Sequence, residues 1–238
     1  MIARVLFVFS NSAFGLYLVR ALETLFPRVN SFFRKSKHRL GTGADRHVLQ
    51  LIDEIHARTE MLLDENDALH LYMAVKATQK VPGDLAEVGV YKGGSASLIC
   101  EVKGPRRLHL FDSFEGLPKS DASDSVFING AYNSHHDQVK QVLQEYDDCQ
   151  IYRGLFPATA TGLSEERFSF VHIDIDLYKG TKDCLEFFYP RLNKGAIMLC
   201  HDYSTAKGVR KAIAEFFEDK PDTVIQLSGL YCMIVRVN

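Results

Sequence analysis

Five short runs rich in β-forming residues punctuate residues 84–202 of this 238-residue chain: DLAEVGV (84–90), RLHLFDS (107–113), CQIYRG (149–154), FSFVHID (168–174) and GAIMLCHD (195–202). Segments of helical pattern separate them, among them GSASLICEV, HDQVKQVLQEY and TKDCLEFFYPRL. Strands that alternate with helices build βαβ units, so the spacing predicts an α/β fold with a mostly parallel sheet and helices on both faces. The C-terminal stretch TVIQLSGLYCMIVRVN breaks the alternation, because its two strand-like runs flank Ser228 and Gly229 with too few residues for a crossover helix. A hairpin is forced, and one terminal strand must run antiparallel to the sheet.

Residues 45–80 show helical spacing, with Leu49, Ile52, Ile55 and His56, then Leu69, Tyr72, Met73 and Lys76 on successive turns. They read as a helical cap leading into one domain, 45–238, preceded by an apolar and basic extension, 1–44. The uncharged stretch Val5–Val19 falls short of the roughly 20 residues a spanning helix needs and is interrupted by Ser10, Asn11 and Ser12. A helix packed on the domain or on a second copy is the expectation, and with it a homo-oligomer. The alternative is contact with a membrane surface beside the basic run RKSKHR (34–39). A net charge of -2 gives no reason to expect nucleic acid as a partner. Five cysteines without C-x-x-C spacing point to reduced thiols and a cytoplasmic setting.

EVGVYKGGSA (87–96) follows the first strand and opens a helix, where a backbone without Cβ can approach a ligand. Its Gly89, Gly93 and Gly94 lack the G-x-G-x-x-G spacing that seats a pyrophosphate, and Glu87 suits a cationic or amine-bearing ligand better than a phosphate. The second strand ends in FDSFEG, where Asp112 can hydrogen-bond ribose hydroxyls. A nucleoside without a pyrophosphate fits both features; singly, the glycines are ordinary turns and Asp112 a helix cap.

FVHIDIDLYKGT (170–181), read as an extended chain, places His172, Asp174 and Asp176 on one face. Two carboxylates there repel each other and are costly to bury unless something positive sits against them.

GDLAEVGVYKGGSA, HLFDSFEGLP, FVHIDIDLYKGTKDCLEFFYPRL, and HDY followed by GVRKAIAEFF, in that order, resemble the macrocin-type (TylF-like) sugar O-methyltransferases, from about Thr59 to the C-terminus. The resemblance implies a Rossmann-like class I methyltransferase fold using S-adenosylmethionine and a divalent metal, with a sugar, glycoside or similar diol as the hydroxyl acceptor. It implies cofactor contacts from Glu87, Gly89, Tyr91, Gly93, Gly94, Ser95, Asp112, Ser113, Arg153, Gly154 and Asp174. It also implies metal ligation by Asp174 and Asp202, and a general base at Asp176. The chain departs from the family at His201, where the family has an acid. Magnesium is the expected metal, but an imidazole suits manganese, iron or zinc better, so either the metal differs or His201 does not ligate.

Duller roles compete: His172 as a core side chain donating a hydrogen bond, Asp176 as the cap of a helix starting near Thr181, Tyr178 as core. His135, His136 and Asp137 read as a helix start rather than a metal cluster, and the loop 114–136 as a lid. Two other functions stay open, a nicotinamide-dependent oxidoreductase and a catalytically silent binding protein.

Overall fold

The computed structural model describes residues 43–118, 124 and 128–238, so the expectations for residues 1–42 and for most of the tip of the 114–136 loop lie outside the described residues. The chain divides into two units, Met1–Gln50 and Leu51–Asn238; helix α1 spans Gly43–Arg58. Among the described residues no helix is long and apolar enough to cross a membrane.

In the second unit, α2 (Glu65–Ala77) is followed by β1 (Asp84–Val88), α3 (Gly94–Cys100), β2 (Leu108–Asp112), α4 (His136–Leu143) and β3 (Cys149–Arg153). Then come β4 (Phe168–Ile173), α5 (Tyr178–Phe188), β5 (Leu192–Cys200), α6 (Lys207–Phe217), β6 (Val224–Gln226) and β7 (Cys232–Val235). The seven strands form one sheet in the order β3-β2-β1-β4-β5-β7-β6. The first five are parallel, and β7 pairs antiparallel with both β5 and β6, as the short C-terminal connection required. This is a Rossmann-like sheet whose chain order reverses at β1, the place where open α/β sheets leave a crevice for ligands.

The two faces differ in chemistry. Ala86, Val88, Phe111, Val171, Ile173, Met198 and Cys200 join Cys184, Leu185 and Phe188 of α5 and Val209 and Ile213 of α6 in one apolar core. On the other face Glu87 and His172 stand side by side in the β1–β4 register, both fully buried. Helix α2 starts at Asp64, whose carboxylate accepts the Asp67 N–H, and buries Ala68, Leu71, Tyr72 and Val75. The expected stripe was Leu69, Tyr72, Met73 and Lys76; Met73 is instead 51% exposed, because neighbouring apolar positions offer two overlapping stripes and packing selects one.

The C-terminal hairpin is pinned from outside the sheet. The Asp222 carboxylate accepts hydrogen bonds from Arg236 (2.7 Å), Tyr189 Oη (2.7 Å) and the Val237 N–H (2.9 Å). Burial opposes its ionisation, but these donors prevail and hold its carboxyl below the usual range. Replacing it strands a partly buried guanidinium, so Asp222→Ala should lower unfolding free energy by about 2–3 kcal/mol, read from the urea midpoint. Because its folded pKa is depressed, that stabilisation is present above the ordinary carboxylate range and is lost as pH falls through the folded value. The difference between wild type and variant should therefore shrink on acidification.

Candidate active site

In a parallel sheet every strand delivers its C-terminal end to the same edge, and the residues singled out in the sequence gather there in two groups.

The first surrounds the turn after β1. Gly89 has φ +93°, and a Cβ there would run into the Asp174 carbonyl, so no other residue fits. Tyr91 also has positive φ (51°), and its N–H and that of Val90 both donate to Asp112 Oδ2 at 2.8 Å, while Asp112 Oδ1 accepts the Phe114 N–H at 2.7 Å. Asp112 thus first holds the turn together; with about four acceptor positions on a carboxylate, one stays available for a ribose hydroxyl. Gly93 (φ +82°) is the N-cap of α3. Gly94 owes its smallness to packing, since a Cβ would strike Met61. Ser95 is buried in the first turn of α3, and Ser113 Oγ accepts the Glu115 N–H. Gly154 donates to the Asp112 carbonyl (2.9 Å), which places the end of β3 beside β2, with Arg153 exposed at the outer edge.

Glu87 lies beneath this turn. Its Oε1 is 2.8 Å from His172 Nδ1, and its Oε2 is buried without a hydrogen-bond partner. Burial pushes its carboxyl up, against the pull of His172 and of the nearby Ser95 hydroxyl. The other His172 nitrogen is 2.8 Å from Tyr231 Oη, so the imidazole does more than pack: it bridges an acid and a phenol.

The second group follows β4 and β5. Strand β4 ends at Ile173, so alternation does not place Asp174 and Asp176 on its face as the extended reading expected. Asp176 (φ +60°) and Asp202 (φ +57°) instead adopt left-handed backbone, which aspartate tolerates better than most residues, and both turn back over the strand ends. His201 Nδ1 stands 3.0 Å from Asp174 Oδ1 and 2.9 Å from Asp202 Oδ2. Its Nε2 is buried without a hydrogen bond, 3.6 Å from Asp67 Oδ2, and its ring packs edge-on against Tyr231 with centroids 4.8 Å apart. Burial works against the imidazolium, but the charges of Asp174 and Asp202 outweigh it and raise the His201 pKa well above its ordinary value. Asp202 is held low: burial opposes ionisation, and the His201 charge and the hydrogen bonds from His201, Asp176 and Thr205 overcome it. Asp176 is pushed well up by burial and by the Asp202 and Asp174 charges, and shares a hydrogen bond with Asp202. It does not cap a helix: α5 begins at Tyr178, and the N–H of Tyr178 donates to Asp124 of the 114–136 loop.

Asp174, His201 and Asp202 offer ligand atoms within 4.8 Å of one another, a donor set that fits a divalent metal. Two carboxylates and an imidazole suit manganese, iron or zinc better than magnesium. His136 stands 3.3 Å from its neighbour Asp137 and packs edge-on against Phe114, beside the start of α4.

Sequence reasoning missed Tyr231, Asp67 and Ser134. Tyr231 arrives because β7 is antiparallel and so begins where β5 ends. Asp67 accepts the Leu230 N–H (3.2 Å) and leaves no room for a side chain at Gly229. Ser134 Oγ donates to the Tyr91 carbonyl (2.7 Å), fastening the long loop to the glycine turn. None belongs to a local motif.

Residues 59–226 match the family model for macrocin O-methyltransferase (TylF). A sugar O-methyltransferase of Streptomyces olivaceus, named for the 4'-O-methylation of a rhamnosyl-tetracenomycin, is 31% identical over 166 residues, 62% of this chain and 63% of that protein. The chain spans less than two thirds of the length of the curated relatives it matches. The O-methyltransferase NovP shares its fold, with a TM-score of 0.69 at 23% identity over 75% of this chain and 82% of that one. An O-methyltransferase from Bacillus cereus, solved with S-adenosylhomocysteine (SAH), superposes with a TM-score of 0.56 at 14% identity, over 84% and 93% of the two chains. With its matched strands, glycine turn and strand-end acids in the family's order, this chain belongs to the macrocin O-methyltransferase (TylF) family.

Proposed function

We propose that this chain is an S-adenosylmethionine-dependent O-methyltransferase that methylates a hydroxyl of a sugar or glycoside, with a divalent metal held by Asp174, His201 and Asp202. The observation that carries the reading is the fully buried Glu87, whose Oε2 has only the Ser95 hydroxyl nearby and no hydrogen bond of normal geometry, next to the Gly89 turn and a strand-end cluster of acids. A lone buried carboxylate oxygen is costly without a donor, and the ammonium of a methionine moiety supplies one. The family match and the sugar-directed relative support the acceptor class. The glycine spacing and the family match both weigh against a nicotinamide enzyme.

The cofactor, when bound, supplies an activated methyl group; the metal, when bound, lowers the pKa of a ligated hydroxyl. The chain's own work is alignment and proton removal. Glu87 and the Gly89 turn fix the methionine end, and Asp112 has an acceptor position left for the ribose. Asp174 and Asp202, one past β4 and the other past β5, set the acceptor hydroxyl on the same rim. Asp176, partly open to solvent beside them, takes the hydroxyl proton. His172 and Tyr231 keep Glu87 in place from behind.

Calorimetry with SAH should show binding. Glu87→Gln should weaken it about 10- to 100-fold, the worth of a hydrogen bond between charged groups, with melting checked to separate a folding loss. No SAH binding, with NAD bound instead, would overturn the reading. Asp176→Asn should lower kcat by roughly 10²–10⁴ and leave SAH affinity unchanged. Direct titration of metals should favour manganese over magnesium in the wild type, and His201→Asp should shift that preference towards magnesium.

A further inference from the structure

Cys100 closes α3 and Cys149 opens β3, so both lie at the edge of the sheet opposite the acid cluster. Their Sγ atoms are 3.3 Å apart, with Cys100 buried and Cys149 half-buried. A disulfide bond measures about 2.05 Å, so closure asks the two sulfurs to approach by only about 1.2 Å. Cys149 also lines a groove of about 460 Å³ between α4 and β3, shared with His136, Lys140 and Arg153, through which a small oxidant reaches it. The remaining thiols, Cys184, Cys200 and Cys232, are fully buried.

The two partners are chemically unequal. The hydrogen bond shared by the two sulfurs and the nearby Lys103 charge favour the Cys149 thiolate, against partial burial. The same hydrogen bond, with burial, pushes Cys100 up. The thiolate is the nucleophile in thiol oxidation, and Cys149 lines the groove while Cys100 is buried behind it, so Cys149 meets the oxidant first and Cys100 resolves.

We propose that Cys100 and Cys149 are a peroxide-responsive thiol pair that closes into a reversible disulfide. The Cys149 thiolate attacks one oxygen of hydrogen peroxide and breaks the O–O bond, giving a sulfenic acid and hydroxide, which takes up a proton to become water. The Cys100 sulfur then attacks the Cys149 sulfur and displaces its hydroxyl, which leaves as a second water carrying the Cys100 proton. Two thiols are oxidised by two electrons in all and one peroxide is reduced; a dithiol reverses the process. The bond ties α3, which opens at the glycine turn, to β3, and encloses β2, the long loop and α4.

Treat the full-length protein with hydrogen peroxide, alkylate it, and map its peptides by mass spectrometry. The expected result is loss of two hydrogens, a Cys100–Cys149 linked peptide, recovery of both thiols with dithiothreitol, and Cys184, Cys200 and Cys232 left reduced. Closing a loop of about 50 residues should raise the melting temperature by on the order of 5 °C, reversibly. Cys100→Ser should let Cys149 accumulate as sulfenic and then sulfinic acid, and Cys149→Ser should leave Cys100 unreacted. Full alkylation of both thiols after peroxide sinks the proposal. So does a bond between Cys200 and Cys232, which face each other in the β5–β7 register, or two-hydrogen loss persisting in Cys149→Ser.

Discussion

Three carboxylates crowd the ends of two neighbouring strands, and their mutual repulsion is the constraint around which this edge of the molecule is built. Asp174, Asp176 and Asp202 cannot all stay ionised in a partly buried site without a positive centre. His201 provides one, with a single imidazole nitrogen at hydrogen-bond distance from both Asp174 and Asp202. A divalent ion at the same donor set would discharge the same repulsion more completely. The imidazole therefore stands where the site most needs a cation, and it leaves the cluster with one negative charge fewer than the acid that the family resemblance implies at this position.

Behind that cluster runs a buried polar ladder, Glu87 to His172 to Tyr231, with the Tyr231 ring against His201. It connects the methionine end of the proposed cofactor pocket to the acid cluster through the interior of the sheet. Its hydrogen bonds are complete except at Glu87 Oε2, and His201 beyond it has an unbonded Nε2. Orphaned polar atoms are rare in protein interiors. The first is the atom that the proposed methionine ammonium would meet; the second faces the Asp67 carboxylate at 3.6 Å. The glycine turn sits above the first, held by Asp112 and by Ser134 of the long loop, so turn and loop share mechanical supports.

Much of this was legible in the chain. The parallel sheet followed from five β-rich runs spaced by helical segments, and the antiparallel strand from a connection too short to cross over. The acids were singled out by the Asp-x-Asp spacing of FVHIDIDLYKGT and by the family resemblance, which added Asp202. Other features were not. Asp176 was expected on the same face as Asp174 by alternation, yet β4 stops at Ile173 and a left-handed residue brings Asp176 round. The stripe on α2 was read one register off, since Leu69 and Met73 are as apolar as the residues that packing buries. Asp67, Ser134 and Tyr231 carry no local signal.

The sequence by itself determined which elements form, their order, and which strand ends hold carboxylates, because periodicity, turn residues and connection length act over a few residues. Only the tertiary structure decided which polar groups meet: Tyr231 with His172 across 59 positions, Glu87 with His172 across 85, Cys100 with Cys149 across 49. Those partnerships depend on register, backbone hand and packing, all set when distant segments are brought together. No pattern within a short window contains that information.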